Sequence, residues 1–406
     1  MADPVPRGSR PGLVFLDFVT HWGGAQRSTA EMLQALLQDC NVRVVDAYGV
    51  CREWLAALDQ AEVPVQVLLP RSRRPFIGGA GRPLGRLVRV LAQAPDWLDL
   101  RRALRRTLDR VRPDLVLTNS TKGLALLWLA GAFSGHQIVF YARGWYRRDQ
   151  VPALGRCLIR RAHRVLAVST ATASALREWG VVQDRIYVVH TRIDPERVHR
   201  DARREVTDRP PHADRPVRIL LPAQILRTKG QAVAVEAAAI LRDRGLDFVL
   251  WLAGDVKMGS DGRYRKEVAH EIARRGLQDH VFLLGLRSDA AALMRCAEIV
   301  ILPTHSEGFP RAVWEAQVLA RPVVSTPMGG VTDLIEDGRT GLLVPMDDGP
   351  ALAGAITRLC EDPALRARIV KNAADQIGLR FSEAAQHETL CSALGSTRQE
   401  VFHASR

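Results

Sequence analysis

From Leu13 to His190, short apolar and β-branched runs alternate with longer stretches whose apolar residues recur every three to four positions. LVFLDF, VRVVDAY, VPVQVLL, DLVLTN, QIVFYA, RVLAVS and RIYVVH read as strands, and AQRSTAEMLQALL between the first two reads as an amphipathic helix. Alternation of this kind predicts a parallel sheet covered on both faces. The rhythm breaks at the polar run HRDARREVTDRPPHADRP and restarts with RILLPA, FVLWLAG, VFLLG, EIVILP, RPVVST and GLLVP. The pattern predicts an α/β protein of two Rossmann-like, doubly wound domains in tandem. We expect an N-terminal domain over 1–198, a linker over 199–216, a second domain over 217–378, and a helical tail over 379–406 that packs back toward the first domain.

Composition adds limits. The 406 residues suit two domains of about 200 residues, and 47% hydrophobic with 25% charged residues is ordinary for a water-soluble globular chain. The uncharged apolar run from Gly123 to Phe133 is far shorter than the roughly 20 residues of a membrane-spanning helix. The N-terminus MADPVPRGSRPG lacks the apolar region of a signal peptide, so the expected location is the cytoplasm. The cysteines Cys40, Cys51, Cys157, Cys296, Cys360 and Cys391 show neither CxxC pairs nor Cys/His ligand spacing, and read as reduced core residues.

Charge changes the picture more. Residues 1–200 hold 30 Lys+Arg against 17 Asp+Glu, whereas 201–406 hold 27 of each, so the whole net charge of +13 lies in the first half. Between Trp97 and Val111 an apolar stripe of Trp97, Leu100, Leu104, Leu108 and Val111 is flanked by Arg101, Arg102, Arg105, Arg106 and Arg110. The segment PRSRRPFIGGAGRPLGRLVR just upstream adds further positive charge. A solvated arginine face is one reading; the other is an anionic membrane surface, at about 1 kcal/mol per basic group, and peripheral attachment to the inner face of the membrane. No nucleic-acid reader motif accompanies the arginines, so no nucleic-acid partner is expected.

Candidate chemistry lies where strands end. In EIVILPTHSEGFPRAVWEAQVLARPVVSTPMGG, Glu307 sits in the loop after a strand and Glu315 inside a helix opened by Pro310, seven residues apart. Backbone N–H groups near Gly308 and Phe309 suit an anionic or hydroxyl-rich ligand, and a carboxylate accepts the two hydroxyls of a ribose diol. In PAQILRTKGQAVAVEAAAIL, Lys229 precedes a helix N-terminus, where its ammonium and free N–H groups would converge on phosphate. Gly23 and Gly24 lie between the first strand and its helix, a place where backbone can approach a ligand closely. Arg143 ends the strand from Ile138 to Ala142, and its guanidinium offers several donors but no base.

With Glu307-Gly-Phe-Pro, Glu315-Ala, Pro322-Val-Val-Ser, Gly329-Gly330, Asp337-Gly338 and Gly341-Leu-Leu-Val-Pro in this order, the chain resembles the retaining glycosyltransferases of GT-B fold that carry an EX7E motif, family 4. The likeness runs over about residues 12 to 380 and is denser in the second half. It implies two domains facing a central cleft, with Glu315 on the nucleotide ribose and Glu307 on the donor sugar. Gly308, Phe309 and Pro310 would line the sugar pocket, with Gly23 and Gly24 also near the donor. Family members carry an arginine five residues before the lysine; this chain has Gln224 there, with Arg227 as the substitute that would join Lys229 on the donor diphosphate. Arg143 stands where many members have histidine and would contact sugar or acceptor. Asp333 replaces a glutamate, and Thr191-Arg192 replaces an Asn-Gly read as hinge structure.

The resemblance implies transfer of a sugar, with retention, from a UDP- or GDP-sugar to a glycan or lipid-linked acceptor of cell-surface polysaccharide or glycolipid synthesis. It needs neither metal nor cofactor beyond the nucleotide sugar. Two other classes stay open: a sugar-nucleotide epimerase of similar architecture, and a non-catalytic nucleotide-sugar-binding protein. No acid–base constellation for epimerisation is visible, while Gln224 and the missing histidine motivate the non-catalytic reading.

Overall fold

A computed structural model describes residues 10–70, 94–191, 193–256 and 262–395. In chain order the elements begin with β1 (Gly12–Asp17), α1 (Gly24–Leu36), β2 (Asn41–Asp46), α2 (Arg52–Gln60), β3 (Val65–Val67), α3 (Ala94–Val111) and β4 (Leu115–Thr118). They continue with α4 (Thr121–Leu129), β5 (Gln137–Ala142), α5 (Ala153–Arg161), β6 (Arg164–Ala167), α6 (Thr170–Glu178) and β7 (Ile186–Val188). Next come α7 (Pro195–Ala202), β8 (Val217–Pro222), α8 (Gln231–Asp243), β9 (Phe248–Ala253), α9 (Arg263–Arg274), β10 (Val281–Gly285) and α10 (Ala290–Cys296). The last are β11 (Ile299–Leu302), α11 (Arg311–Val318), β12 (Val323–Ser325), α12 (Val331–Leu334), β13 (Leu342–Leu343), α13 (Gly349–Glu361), α14 (Pro363–Arg380) and α15 (Glu383–Leu394).

The chain divides into two compact units. Among the described residues, unit 1 takes 10–70, 94–168, 172–191 and 386–395; unit 2 takes 169–171, 193–256 and 262–385. Unit 1 is built on a seven-stranded sheet of order β3-β2-β1-β4-β5-β6-β7, and unit 2 on a six-stranded sheet of order β10-β9-β8-β11-β12-β13. All the strand pairings in both sheets are parallel. Parallel strands are covered on both faces, which is why β1, β4, β9 and β11 are almost unbroken apolar runs, buried nearly throughout. One core of unit 1 joins Val14, Leu16, Val116, Ile138, Phe140 and Val165 to the inward faces of α3, α4 and α5. Unit 2 has its own, built on Ile219, Leu221, Leu250, Leu252, Ile299 and Ile301.

Two segments differ from the sequence reading or sharpen it. The polar run 199–216 is not a free connector: it lies wholly in unit 2, which resumes at Ile193. Its start completes α7, whose first turn is capped by the Asp194 carboxylate accepting from Arg197 N–H at 3.2 Å, with Pro195 opening the helix. The remainder is tied down by polar bonds that composition alone hides. Thr207 N–H donates to Asp289 at 2.9 Å, Trp251 Nε1 donates to Pro211 carbonyl at 3.0 Å, and the Arg287 guanidinium reaches the Asp208 carbonyl at 3.0 Å. At the other end, α15 contributes buried Leu390, Ala393 and Leu394 to unit 1, and Arg164 Nη1 donates to the Ala393 carbonyl at 3.0 Å near the helix C-terminus. Among the described residues, no helix is long and apolar enough to cross a membrane.

Candidate functional site

In unit 2 the sheet order reverses between β8 and β11, so the loops leaving their carboxyl ends separate and open a crevice, the place where doubly wound sheets hold ligands. The loop after β8 carries Lys229 and the loop after β11 carries Glu307. The structure brings them together as an ion pair, Nζ to Oε1 at 2.5 Å, with side chains only 20% and 12% exposed. Backbone geometry holds both loops in place. Thr304, fully buried, donates its hydroxyl to the Thr228 carbonyl at 2.8 Å, and His305 N–H donates to the same carbonyl at 2.8 Å. Gly230 is left-handed at φ +71° and packs so closely that a Cβ there would lie 1.9 Å from the Pro303 carbonyl oxygen. From the third loop, Gly330 N–H donates to the Glu307 carbonyl at 3.1 Å, and a Cβ on Gly329 would lie 1.8 Å from that oxygen. The paired glycines thus let one backbone lie directly on the loop that presents Glu307.

The helices that follow start without side-chain caps. Gly230 precedes α8 and Pro310 precedes α11, and neither accepts a cap bond through a side chain. First-turn N–H groups therefore face the same crevice end of the sheet, although that of Ala232 is taken by the Tyr264 hydroxyl at 3.3 Å. On α11, Glu315 accepts from Arg311 Nη2 at 3.1 Å and Nε at 3.3 Å, both on Oε1, so neither bond uses Oε2. Gly308 is half-buried, Pro310 is buried as the N-cap, and Phe309 is a buried anchor whose ring meets Phe381 at 5.8 Å. Its side chain packs inward, so only its backbone can line a ligand pocket.

Arg227 goes elsewhere. Its guanidinium pairs with Glu267 and lies 4.9 Å from the Tyr264 ring centroid, both on α9, with its side chain 69% exposed. It belongs to a single 3₁₀ turn, Arg227–Lys229, in which successive side chains step by about 120°, so residues two apart point to different sides. The expectation that Arg227 joins Lys229 is corrected accordingly. Gln224 is exposed, and it is its backbone carbonyl that is engaged, by Gln231 Nε2 at 2.8 Å. Asp333 is buried in the short helix α12.

In unit 1, Gly23 is the extended N-cap of α1, at φ −173°, and a Cβ there would meet only the Gln26 side chain at 3.4 Å. Neither backbone conformation nor packing demands glycine at that position. Arg143 Nη1 donates to Thr29 Oγ1 on α1 at 2.8 Å and its guanidinium stands over Tyr141, 5.2 Å from the centroid. Ser28, Met32, Tyr141, Arg143, His190 and Gln386 line a small cavity beside them.

Sequence reasoning missed Asp17. It ends β1 at the point where the unit 1 sheet order reverses, 7% exposed, and its Oδ1 accepts from Phe18 N–H at 2.7 Å. Burial pushes its pKa up to about 6, with Asp46 raising it further and the Phe18 bond, Asn119 and Arg143 pulling the other way. Burial also lowers the pKa of Lys122, against the opposing pull of Asp17. The signal was an acid closing an otherwise apolar strand, LVFLDF.

On α3, Leu100, Leu104 and Leu108 are buried and the Trp97 ring stacks near Phe18 at 6.1 Å, while Arg101, Arg102, Arg105, Arg106 and Arg110 are exposed. The basic segment over 71–89 lies outside the described residues, as does Arg192. The cysteines are not uniformly core residues. Cys40 and Cys51 are buried, but Cys157, Cys296, Cys360 and Cys391 are half-buried, and all six are free thiols.

With this geometry in view, comparison with known proteins decides the family. Residues 22–197 match the profile described as Glycosyltransferase Family 4, and residues 203–376 match that of Glycosyl transferases group 1. The chain belongs to this glycosyltransferase family. Relatives include the alpha-D-kanosaminyltransferase of Streptomyces kanamyceticus, 36% identical over 193 residues, or 47% of this chain and 48% of that one. The amylovoran biosynthesis glycosyltransferase AmsK of Erwinia amylovora is 29% identical over 57% of this chain and 55% of its own. The chain spans about half the length of these curated relatives. Among solved structures, HepE of Anabaena in complex with UDP superposes with a TM-score of 0.77, at 22% identity, over 95% of this chain and all of that one. The fold is GT-B.

Proposed function

We propose that this chain transfers a sugar from a nucleoside-diphosphate sugar to a hydroxyl acceptor, with retention. The observation that carries the reading is the mostly buried Lys229–Glu307 pair at the switch point of the unit 2 sheet. A lysine held beside uncapped helix N-termini is a ready counter-charge for a diphosphate, and the solved relative was captured with UDP. On donor binding the diphosphate takes over Lys229 as its counter-ion, and Glu307 is released to accept from hydroxyls of the sugar. Glu315 keeps Arg311 on Oε1 and offers Oε2 to the ribose diol. The bond from the anomeric carbon to the diphosphate breaks, the acceptor oxygen bonds the same face while its proton passes to the departing diphosphate oxygen, and Lys229 stabilises the departing charge. In this reading the chemistry needs no metal. Gly23 leaves room for a ligand that its own chain does not fill. Arg143, fixed on α1, contacts sugar or acceptor.

The acceptor we favour is a glycan or lipid-linked glycan of surface polysaccharide synthesis; the Erwinia relative is named for amylovoran biosynthesis. The exposed arginine face of α3 would bring the chain to anionic lipid. Because the leucines of that helix are already buried in the core, attachment there would be electrostatic and not by insertion. The test is a thermal-shift panel of UDP, GDP, ADP and dTDP with their sugars, followed by diphosphate release with and without acceptor. Release that rises with acceptor supports transfer. Binding without release would leave a nucleotide-sugar-binding protein, and interconversion of the sugar with no release would point to an epimerase.

A further inference from the structure

Asp39, His387 and Cys391 form a cluster that the transfer reading does not use. Asp39 lies in the turn between α1 and β2, where its N–H donates to the Leu36 carbonyl at 3.1 Å. His387 and Cys391 are four residues apart on α15, so they share one helix face one turn apart. Their Oδ2, Nε2 and Sγ atoms all lie within 4.8 Å of one another, from residues separated by up to 352 positions in the chain. The sequence reading saw no ligand spacing because the third ligand comes from the opposite end of the protein.

We propose that these three side chains are a zinc site that fastens α15 to unit 1. The contacts converge on one nitrogen: His387 Nε2 is 2.8 Å from Asp39 Oδ2 and 3.5 Å from Cys391 Sγ. Without a metal, Asp39 accepts both protons, that of His387 Nε2 and that of the Cys391 thiol, which also bonds the carboxylate. A metal ion replaces the two protons and binds the three atoms directly. Nitrogen and sulfur ligands at about 2.0 and 2.3 Å from zinc, subtending a tetrahedral angle, stand about 3.5 Å apart, the separation seen here. The nitrogen and oxygen need to open by about half an ångström, within reach of a half-exposed carboxylate on a turn. One nitrogen, one sulfur and one carboxylate oxygen suit zinc over magnesium or calcium, with water as the fourth ligand. Binding releases the thiol proton, and any proton held on Nε2, to solvent, leaving thiolate and neutral imidazole on the metal.

The test uses the full chain, stripped with chelator and then titrated with Zn²⁺ or Co²⁺. We expect one equivalent bound, a thiolate-to-cobalt charge-transfer band, and a melting temperature that rises with zinc. His387→Ala and Cys391→Ser should weaken binding by about tenfold or more and abolish the band, Asp39→Asn should weaken it less, and Cys157→Ser should change nothing. Absence of stoichiometric binding, a cobalt spectrum without the thiolate band, or unchanged affinity in Cys391→Ser would overturn the proposal. The wild-type spectrum decides the matter even if a variant fails to fold.

Discussion

Lys229 and Arg227 are two residues apart, both basic, and placed differently enough to be tested against each other. Lys229 is mostly buried against Glu307, whereas Arg227 is exposed against Glu267. Removing Lys229 leaves the Glu307 carboxylate without its partner and removes the counter-charge proposed for the donor. Lys229→Ala should therefore weaken nucleotide binding by about 1.5–3 kcal/mol, the scale of a hydrogen bond to a charged group. Arg227→Ala, which breaks an exposed pair, should cost under about 1 kcal/mol. Equal losses in isothermal titration would show that Arg227 swings into the site. Asp17 gives a pH prediction. Its pKa is about 6 folded against 3.8 unfolded, so between those values folding takes up a proton and stability falls as pH rises. The penalty is absent below about pH 4 and complete above about pH 6. Asp17→Asn, which can still accept from Phe18 N–H, should raise the melting temperature at pH 8, by the equivalent of about 1–3 kcal/mol, and leave it unchanged at pH 4. A variant that is equally destabilised at both pH values would show that Asp17 carries no ionisation penalty in the fold.

At the scale of elements, the site is three loops locked by backbone contact. Gly329 combines φ +58° with a carbonyl 1.8 Å from where a Cβ would sit, so Gly329→Ala must push the Glu307 loop away from α12. We expect a loss of about 2–4 kcal/mol in denaturant unfolding together with weakened nucleotide binding. Full stability with unchanged binding would mean that the loops are not coupled. The helix α3 makes the opposite case, because its buried leucines leave the arginines nothing to do for the core. Replacing Arg101, Arg102, Arg105 and Arg106 by Gln should leave the melting temperature nearly unchanged. It should also abolish salt-sensitive sedimentation with acidic liposomes, given a screening length of about 8 Å at physiological ionic strength. Liposome binding that survives the substitutions would place the contact elsewhere.

Across the whole molecule, each unit has its own sheet and its own core, so unfolding need not be a single transition. The last described helix nevertheless belongs to unit 1 from Gln386 on, where α15 buries Leu390 and Leu394. Leu390→Ala should cost about 2–4 kcal/mol, read in the transition assigned to unit 1 and not in that of unit 2. A shift confined to the unit 2 transition would count against this placement of the tail.

The sequence by itself determined the elements and their class. Strand readings such as LVFLDF, DLVLTN, FVLWLAG and EIVILP each overlap a strand of the structure almost throughout, because β-branched runs, helical periodicity and turn glycines act over a few residues. It also offered Glu307, in the loop after a strand, and Lys229, just before a helix N-terminus, as candidates, since both positions are marked by local pattern. Only the tertiary structure decided which charges meet. Lys229 found Glu307 seventy-eight residues away, Arg227 found Glu267 instead of a place beside Lys229, and His387 met Asp39 across 348 residues. The polar run 199–216 became part of unit 2 for the same reason. Its hydrogen-bond partners, Asp289, Trp251 and Arg287, lie far along the chain, and no local pattern encodes a partner that folding alone brings within reach.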